Sequence, residues 1–286
     1  MKKTDIHLHL APERRLGDSG MWMSSAEEMI PHLKALGIEK GIVLSAGENT
    51  DGLMCSNREA LAIHQAFPQV YGYMCNIDEM AVGVYDILAY YKNEGAVGIG
   101  ELTVNRRIDH PLIQAVFAAG QKLKLPITFH MSPEEGYSYG IVDEPGLPLL
   151  EKALSDYPDA VFVGHSPAFW IEISGDAPKE KEARNQWGKG PVAPGGRVVE
   201  LFERYPNLYG DLSANSAGQA VMREPDFGLE FLERFSDRLL FGTDMLNTDM
   251  VFPLGAWLED MVKEGKLSRK TYEKIVCGNA KRVYGV

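Results

Sequence analysis

The chain has 286 residues, of which 45% are hydrophobic and 24% charged, the balance of a globular protein. A chain this long buries about three quarters of its unfolded surface and needs no structural metal or disulfide, so any metal would serve chemistry. Its formal net charge of −11 argues against nucleic acid as the main partner, because phosphate contacts rely on Lys and Arg.

The first apolar run, 4–10 (TDIHLHL), is followed by a capping box, Ser25 with Glu28, that opens a helix. Runs 38–45 (IEKGIVLS), 70–77 (VYGYMCNI) and 96–104 (AVGIGELTV) come next, each separated from its neighbour by a segment of helical period. After the fourth run, Ile113, Val116, Phe117 and Gly120 share one helix face. Runs 126–132 (PITFHMS), 159–166 (DAVFVGHS), 208–214 (LYGDLSA) and 239–245 (LLFGTDM) complete a set of eight. Tyr157-Pro158-Asp159 and Tyr205-Pro206-Asn207 stop two helices and lead straight into strands. Leu254, Trp257, Leu258 and Met261 form a stripe on the eighth helix. Residues 268–286 read as one or two further helices, interrupted or re-capped at Gly278-Asn279.

Alternating strand and helix implies parallel strands with right-handed crossovers, and eight such units fit a closed (β/α)8 TIM barrel. A doubly wound open sheet is disfavoured, since no Gly-x-Gly-x-x-Gly follows the first strand. The expected organisation is one barrel domain over 1–286, with extra C-terminal helix and no flanking β-sandwich. One connection, 167–195, is out of proportion. Its length and its place after the sixth strand predict a loop over the active site, with a plain surface excursion as the alternative.

Three widely spaced cysteines, Cys55, Cys75 and Cys277, without any C-x-x-C, read as reduced, buried hydrophobes. The apolar run after Met1-Lys2-Lys3 is broken by Asp5, His7 and His9, so it is neither a signal peptide nor a membrane span. A cytoplasmic protein with no membrane partner is expected, and a homo-oligomer is left open.

In a barrel, chemistry sits at the C-terminal strand ends. The first strand ends in Asp5-Ile6-His7-Leu8-His9, and alternation puts His7 and His9 on one face. The fourth ends in Glu101, the fifth in His130, the sixth in His165 and the eighth in Asp244. A lone histidine at a strand end is more often a core or rim residue than a ligand. Here four of seven histidines occupy such ends, while His32, His64 and His110 fall on helices or at a helix start and read as solvent-facing. Buried carboxylates at Glu101 and Asp244 would be costly without a cation. The resulting set of nitrogen and oxygen donors suits Zn2+ or Mn2+ with open positions for water.

With these residues in view, the chain resembles the amidohydrolase superfamily, in its amidohydrolase-related branch (amidohydrolase family 2). The matching landmarks are D-I-H-L-H (5–9), F-H-M-S (129–132), V-G-H-S (163–166), Y-G-D-L-S (209–213), F-G-T-D (241–244) and G-N-A-K-R (278–282). The resemblance implies a metal-dependent hydrolase with His7, His9, His130, His165 and Asp244 as ligands to one or two ions. Glu101 stands where many relatives carry a bridging carboxylated lysine. Asp211 matches a structural position, and Asn279 caps and packs the tail. Only three residues precede the first strand, which leaves no room for the β-sandwich of many cyclic-amide hydrolases and deaminases. That moves the expectation to compact barrels: lactonases, carboxyl-ester hydrolases and nonoxidative decarboxylases.

The leading expectation is attack of metal-activated water on a small lactone, ester or amide that also bears a carboxylate. Asp244 then ligates the metal and shuttles the proton, and His165 or a metal polarises the carbonyl. Arg106, Arg107 and Arg184 are candidates to hold the carboxylate, with Arg106 preferred. Trp170, Trp187, Tyr137 and Tyr139 are candidate pocket walls, with Trp170 preferred. The alternative is a nonoxidative decarboxylase of an aromatic or unsaturated acid. A non-catalytic metal-binding protein and a metal-dependent nuclease are further rivals, the first against the full ligand set and the second against the acidic charge.

Overall fold

Serine caps and helix-stopping prolines set the rhythm of the chain. The hydroxyls of Ser25 and Ser56 each accept the backbone N–H three residues on, and Glu28 and Glu59 reach back to the serine N–H. Both are capping boxes, so two orphan donors are satisfied at each helix start. At Tyr157 and Tyr205 the helices stop one residue before a proline, as expected. The computed structural model describes residues 2–48 and 52–286.

The eight expected strands all form: β1 (Lys3–Leu8), β2 (Ile38–Val43), β3 (Tyr71–Cys75), β4 (Gly98–Leu102), β5 (Ile127–Ser132), β6 (Phe162–His165), β7 (Leu208–Asp211) and β8 (Leu239–Leu240). Each pairs in parallel with the next, in register His130 with His165 and Asp211 with Leu240. The ring closes through backbone bonds from Ile6 N to Phe241 O and from Asp244 N to His7 O, with a Leu8–Met245 bridge. Helices α1 (Ala26–Ala35), α2 (Asn57–Ala66), α3 (Val84–Asn93), α4 (Pro111–Leu123), α5 (Pro148–Asp156), α6 (Arg197–Arg204), α7 (Ala214–Met222), α8 (Pro225–Arg234) and α9 (Leu254–Lys263) lie between and after the strands. The fold is a nearly closed (β/α)8 barrel. Outside its eight staves, the strands among the described residues are the Arg15–Leu16/Trp22–Met23 hairpin and Ile141–Val142, which extends the sheet beside β5.

The predicted helix faces are the buried ones. Ile113, Val116, Phe117 and Gly120 of α4 are buried, as are Leu254, Leu258 and Met261 of α9. A separate apolar cluster joins Ile42, Leu44, Met74, Val163, Tyr209 and Leu240 to Ala280 and Tyr284. Val163 and Tyr209 lie two residues before His165 and Asp211, so this cluster forms the floor beneath the strand ends. The tail runs as α10 (Arg269–Glu273), a π turn (Lys274–Gly278) and α11 (Asn279–Tyr284). Asn279 Nδ2 donates to Ser236 O and Leu239 O at 2.7 and 2.8 Å, which ties the tail to β8.

Two expectations need correction. His32 and His64 are half-buried, and His64 Nδ1 bonds Tyr71 O at 2.7 Å; of the three helix histidines only His110 is exposed. The connection 167–195 is not an open lid. Phe169, Trp170 and Ile173 are buried in the main core, and short helical turns form at Pro167–Trp170 and Lys181–Arg184. A Cβ at Gly164 would lie 2.4 Å from the Phe169 ring, and one at Gly210 would lie 2.9 Å from Trp170. These glycines leave strands β6 and β7 bare where the aromatic rings settle on them. Among the described residues no helix is long and apolar enough to cross a membrane.

Further along this connection, Arg184 is buried and donates to the carbonyls of Pro133 and Asp143 at 3.3 and 3.0 Å. The Asp143 carboxylate accepts three backbone N–H groups, from Glu144, Leu149 and Leu150. Burial nevertheless pushes its pKa from 3.8 up to about 6. A raised carboxyl pKa means the folded state holds the proton longer, so this group's contribution is full below about pH 4 and lost by pH 6. Urea unfolding of the wild type should therefore show a loss on the order of 3 kcal/mol across that window from Asp143. Asp143→Asn should flatten that slope, and an unchanged slope would assign it to other groups.

Candidate metal centre

The ends of β1, β4, β5, β6 and β8 converge at one mouth of the barrel. His7 Nε2 lies 3.0 Å from His9 Nε2 and 3.4 Å from Asp244 Oδ1, and His9 Nε2 lies 3.2 Å from the same oxygen. Glu101 Oε2 is 3.7 Å from His7 Nε2 and 3.5 Å from His9 Nε2. His165 Nε2 approaches Glu101 Oε1 at 3.7 Å and Asp244 Oδ2 at 3.8 Å. His130 joins from the side, its Nδ1 2.7 Å from Glu101 Oε1. All six expected ligands thus meet in one cluster.

A row of neighbours fixes the rings. Asp211 Oδ2 accepts from His7 Nδ1 at 2.6 Å and lies 3.4 Å from His165 Nδ1, while Ser213 Oγ is 3.0 Å from His165 Nδ1. A ring whose Nδ1 is engaged in this way turns its Nε2 toward the cluster. Trp170 Nε1 donates to Asp211 O at 3.0 Å, which holds the strand end. Behind Glu101, Asn76 Nδ2 donates to the Glu101 and Ser45 carbonyls, and Asn57 accepts from Ser45 Oγ and Asn76 N. On the other side, Asp5 accepts from His7 N, Thr243 N and Thr243 Oγ1 at 3.0, 3.0 and 2.6 Å. Asp244 itself has φ of 66°, in the left-handed region that Asp tolerates better than most residues. Gly242 makes room there, since a Cβ would meet Ser213, His7 and Asp211 within 2.9–3.2 Å.

The electrostatics follow from burial and packing of opposite charges. Burial pushes the Glu101 carboxyl up, but His130, His7 and His9 outweigh it and hold Glu101 well below the usual range. Asp244 is held low in the same way by His7, His9 and His165. Burial pushes His7 down, yet Asp211 and Asp244 beside it raise it well above the ordinary imidazole value. Burial leaves His130 lowered and therefore neutral near pH 7. The site is a pocket of ionised carboxylates facing imidazole nitrogens.

This donor set fits a divalent ion. Donors about 2.0–2.1 Å from one ion stand roughly 2.9–3.5 Å apart, depending on the angle between them. The separations among His7 Nε2, His9 Nε2 and Asp244 Oδ1 match such an edge. A second triple, His7, Glu101 and His165, lies similarly close, with every donor atom within 4.8 Å of the others. The two triples share His7, whose Nδ1 is taken by Asp211 and whose Nε2 lone pair serves one ion, so they mark alternative positions for a single ion bound by His7. Nitrogen and oxygen donors without thiolate suit Zn2+ or Mn2+.

The other expected site residues lie apart. Arg106 forms an ion pair with Glu79, and Trp170 is 1% exposed in the main core, packed on Gly210 of β7, too deep to wall a pocket. A cavity of about 470 Å3 opens over His9, Glu101 and Asp244, and none of its lining residues comes from 167–195. Met21, Ser45, Ala46, Met54, Thr103, Tyr139 and Leu246 form its walls. Of these, only Tyr139 was among the expected walls. The orienting roles of Asn57, Asn76 and Thr243 carry no sequence signal, because each depends on contacts across different staves.

Fold and site together define a (β/α)8 barrel with a histidine–carboxylate centre at its mouth. The Amidohydrolase family profile matches residues 4–286, so the chain belongs to the amidohydrolase family. No curated protein matches it. Among solved structures it is similar to an amidohydrolase from Burkholderia multivorans with bound zinc, at 15% identity, TM-score 0.63 and full coverage of both chains. It is also similar to 2,6-dihydroxybenzoate decarboxylase from Rhizobium, at 17% identity, TM-score 0.60 and coverage of 100% of this chain and 99% of that one. A probable 2-pyrone-4,6-dicarboxylic acid hydrolase from Acinetobacter baumannii matches at 12% identity and TM-score 0.59 over all of both chains. At these identities the likeness is one of fold.

Because Asp211 holds the His7 ring, Asp211→Asn should weaken Zn2+ binding about 10- to 100-fold while the circular dichroism spectrum is kept. Competition against a chelator measures this, and wild-type affinity would remove Asp211 from the support of the cluster.

Proposed function

We propose that the chain is a metal-dependent hydrolase that uses activated water to open a small lactone, ester or amide. The observation that carries this reading is the meeting of His7 Nε2, His9 Nε2 and Asp244 Oδ1 within 3.0–3.4 Å, remote in sequence and adjacent in space. His7, His9, Glu101, His130, His165 and Asp244 would hold one or two zinc or manganese ions. A divalent ion there supplies Lewis acidity, which acidifies water toward neutral pH and polarises a carbonyl oxygen.

The residues divide the remaining work by their exposure. The Asp244 side chain is 24% exposed, against 0–7% for the other five, so of the two carboxylates that line the cavity, Asp244 and Glu101, it is the more accessible. Held ionised by His7, His9 and His165, it can accept a proton from water and return it to the leaving group. His165 lies outside the cavity lining, so we assign it to holding the ion and not to contact with the carbonyl. Asp211 and Ser213 orient His7 and His165, and the partner is a small molecule that fits the cavity.

Membership of the amidohydrolase family and the hydrolase among the similar folds support this reading, and the decarboxylase keeps a rival reaction in view. The test is a panel of lactones, esters, amides and aromatic acids, with protein freed of metal and reloaded with zinc or manganese. Turnover of the carbonyl compounds is expected only in the loaded protein. CO2 release from the acids, without hydrolysis, would transfer the assignment to the decarboxylase. Asp244→Asn should lower turnover about 10²- to 10⁴-fold with an unchanged fold. Wild-type rates in that variant would take the proton-transfer role from Asp244.

A further inference from the structure

We infer that the part of the substrate remote from its reacting carbonyl is uncharged and apolar, an alkyl or aryl body. This inference rests on reading the cavity above the cluster as the substrate site. Its walls away from the cluster are Met21, Met54, Ala46, Leu246 and the ring of Tyr139, with two uncharged hydroxyl residues, Thr103 and Ser45, the latter donating its hydroxyl to Asn57. Tyr139 lies tilted against His130, with ring centroids 4.2 Å apart. Thioethers and an aromatic face favour carbon-rich, polarisable ligands.

Four arginines of the βα loops are already engaged. Arg106 pairs with Glu79, and Arg107 pairs with Asp109 and Glu144. Arg15 is held by Glu59 and by the carbonyls of Gly52 and Met54. Arg184 is buried against the carbonyls of Pro133 and Asp143. Among the described residues no lysine or arginine lines the cavity, and Met1, Asn49, Thr50 and Asp51, which lie outside them, are of neither type. A remote carboxylate entering here sheds its water and meets methyl and thioether groups instead of a guanidinium. This departs from the carboxylate-bearing substrate expected from sequence. It turns the loop arginines into structural residues.

The test uses zinc-loaded full-length protein and two hydroxamates that share a metal-binding head. Benzohydroxamate has an uncharged body, and 4-carboxybenzohydroxamate adds one remote charge. Calorimetric titration should find the uncharged ligand bound about ten-fold or more tighter. Met54→Lys, checked for native circular dichroism, should close or invert that gap. Equal or tighter binding of the charged ligand by the wild type would overturn the inference. So would an unchanged gap in a folded Met54→Lys protein, or a failure of both ligands to bind while zinc is retained. The hydrolase reading fails separately, if the loaded protein prefers the uncharged hydroxamate but opens no ester, lactone or amide.

Discussion

Carboxylates taken out of water need a positive neighbour, and the mouth of this barrel holds three of them within a few ångströms. Glu101 and Asp211 are buried and Asp244 is mostly so, each beside one or more imidazoles. At ordinary burial such groups would protonate, since the low dielectric disfavours the ion. Here the imidazoles hold all three carboxyls below their usual range, and the carboxylates in turn keep His7 and His9 above theirs. The mutual stabilisation is bought with protons on ring nitrogens. A divalent ion satisfies the same oxygens and takes the place of those protons, which is the physical reason the cluster fits a metal.

The same constraint reaches into the closure of the barrel. β8 is only two residues long by hydrogen-bond pattern, so the seam with β1 depends on few backbone bonds. Asp5 reinforces it by accepting from Thr243 and from His7 across the seam. Its carboxyl is pushed up to about 7 by burial in spite of those bonds. His7 and Asp244 stand on either side of this seam, and Asp244 N donates to His7 O. The ring of strands and the proposed ligand set are therefore one construction.

Period and punctuation made the fold legible. Eight apolar runs, the Ser25 capping box and the proline stops at 158 and 206 are local signals, and each marks its element, although β7 and β8 stop at Asp211 and Leu240, short of the expected 214 and 245, which leaves Asp244 in the loop after β8. The six residues of the cluster were legible for a related reason, because strand ends in a closed barrel must converge. What escaped was anything decided by packing between distant segments. Trp170 and Arg184 have the side chains of binding residues in a long connection. Only the bare surfaces at Gly164 and Gly210, and the free carbonyls of Pro133 and Asp143, make burial the better outcome for that connection. Met21 and Met54, by contrast, carry no pattern, and they become cavity walls through the loops after β1 and β2.

Burial of Trp170 has a consequence for how the centre is held. Its indole N–H fixes the carbonyl of Asp211, the Asp211 carboxylate fixes His7, and Ser213 two residues on fixes His165. The start of the connection 167–195 thus acts on the centre from the side, through the backbone of β7. A ring held by such neighbours, as His7 is through Asp211 and Trp170, is positioned more narrowly than one set by solvent. The cavity above Asp244 is lined by the loops after β1, β2, β4, β5 and β8. The wall residues those loops carry, such as Met21, Met54 and Leu246, stand apart from the ligands, so they can change what the barrel accepts while His9 and Asp244 keep the chemistry it performs.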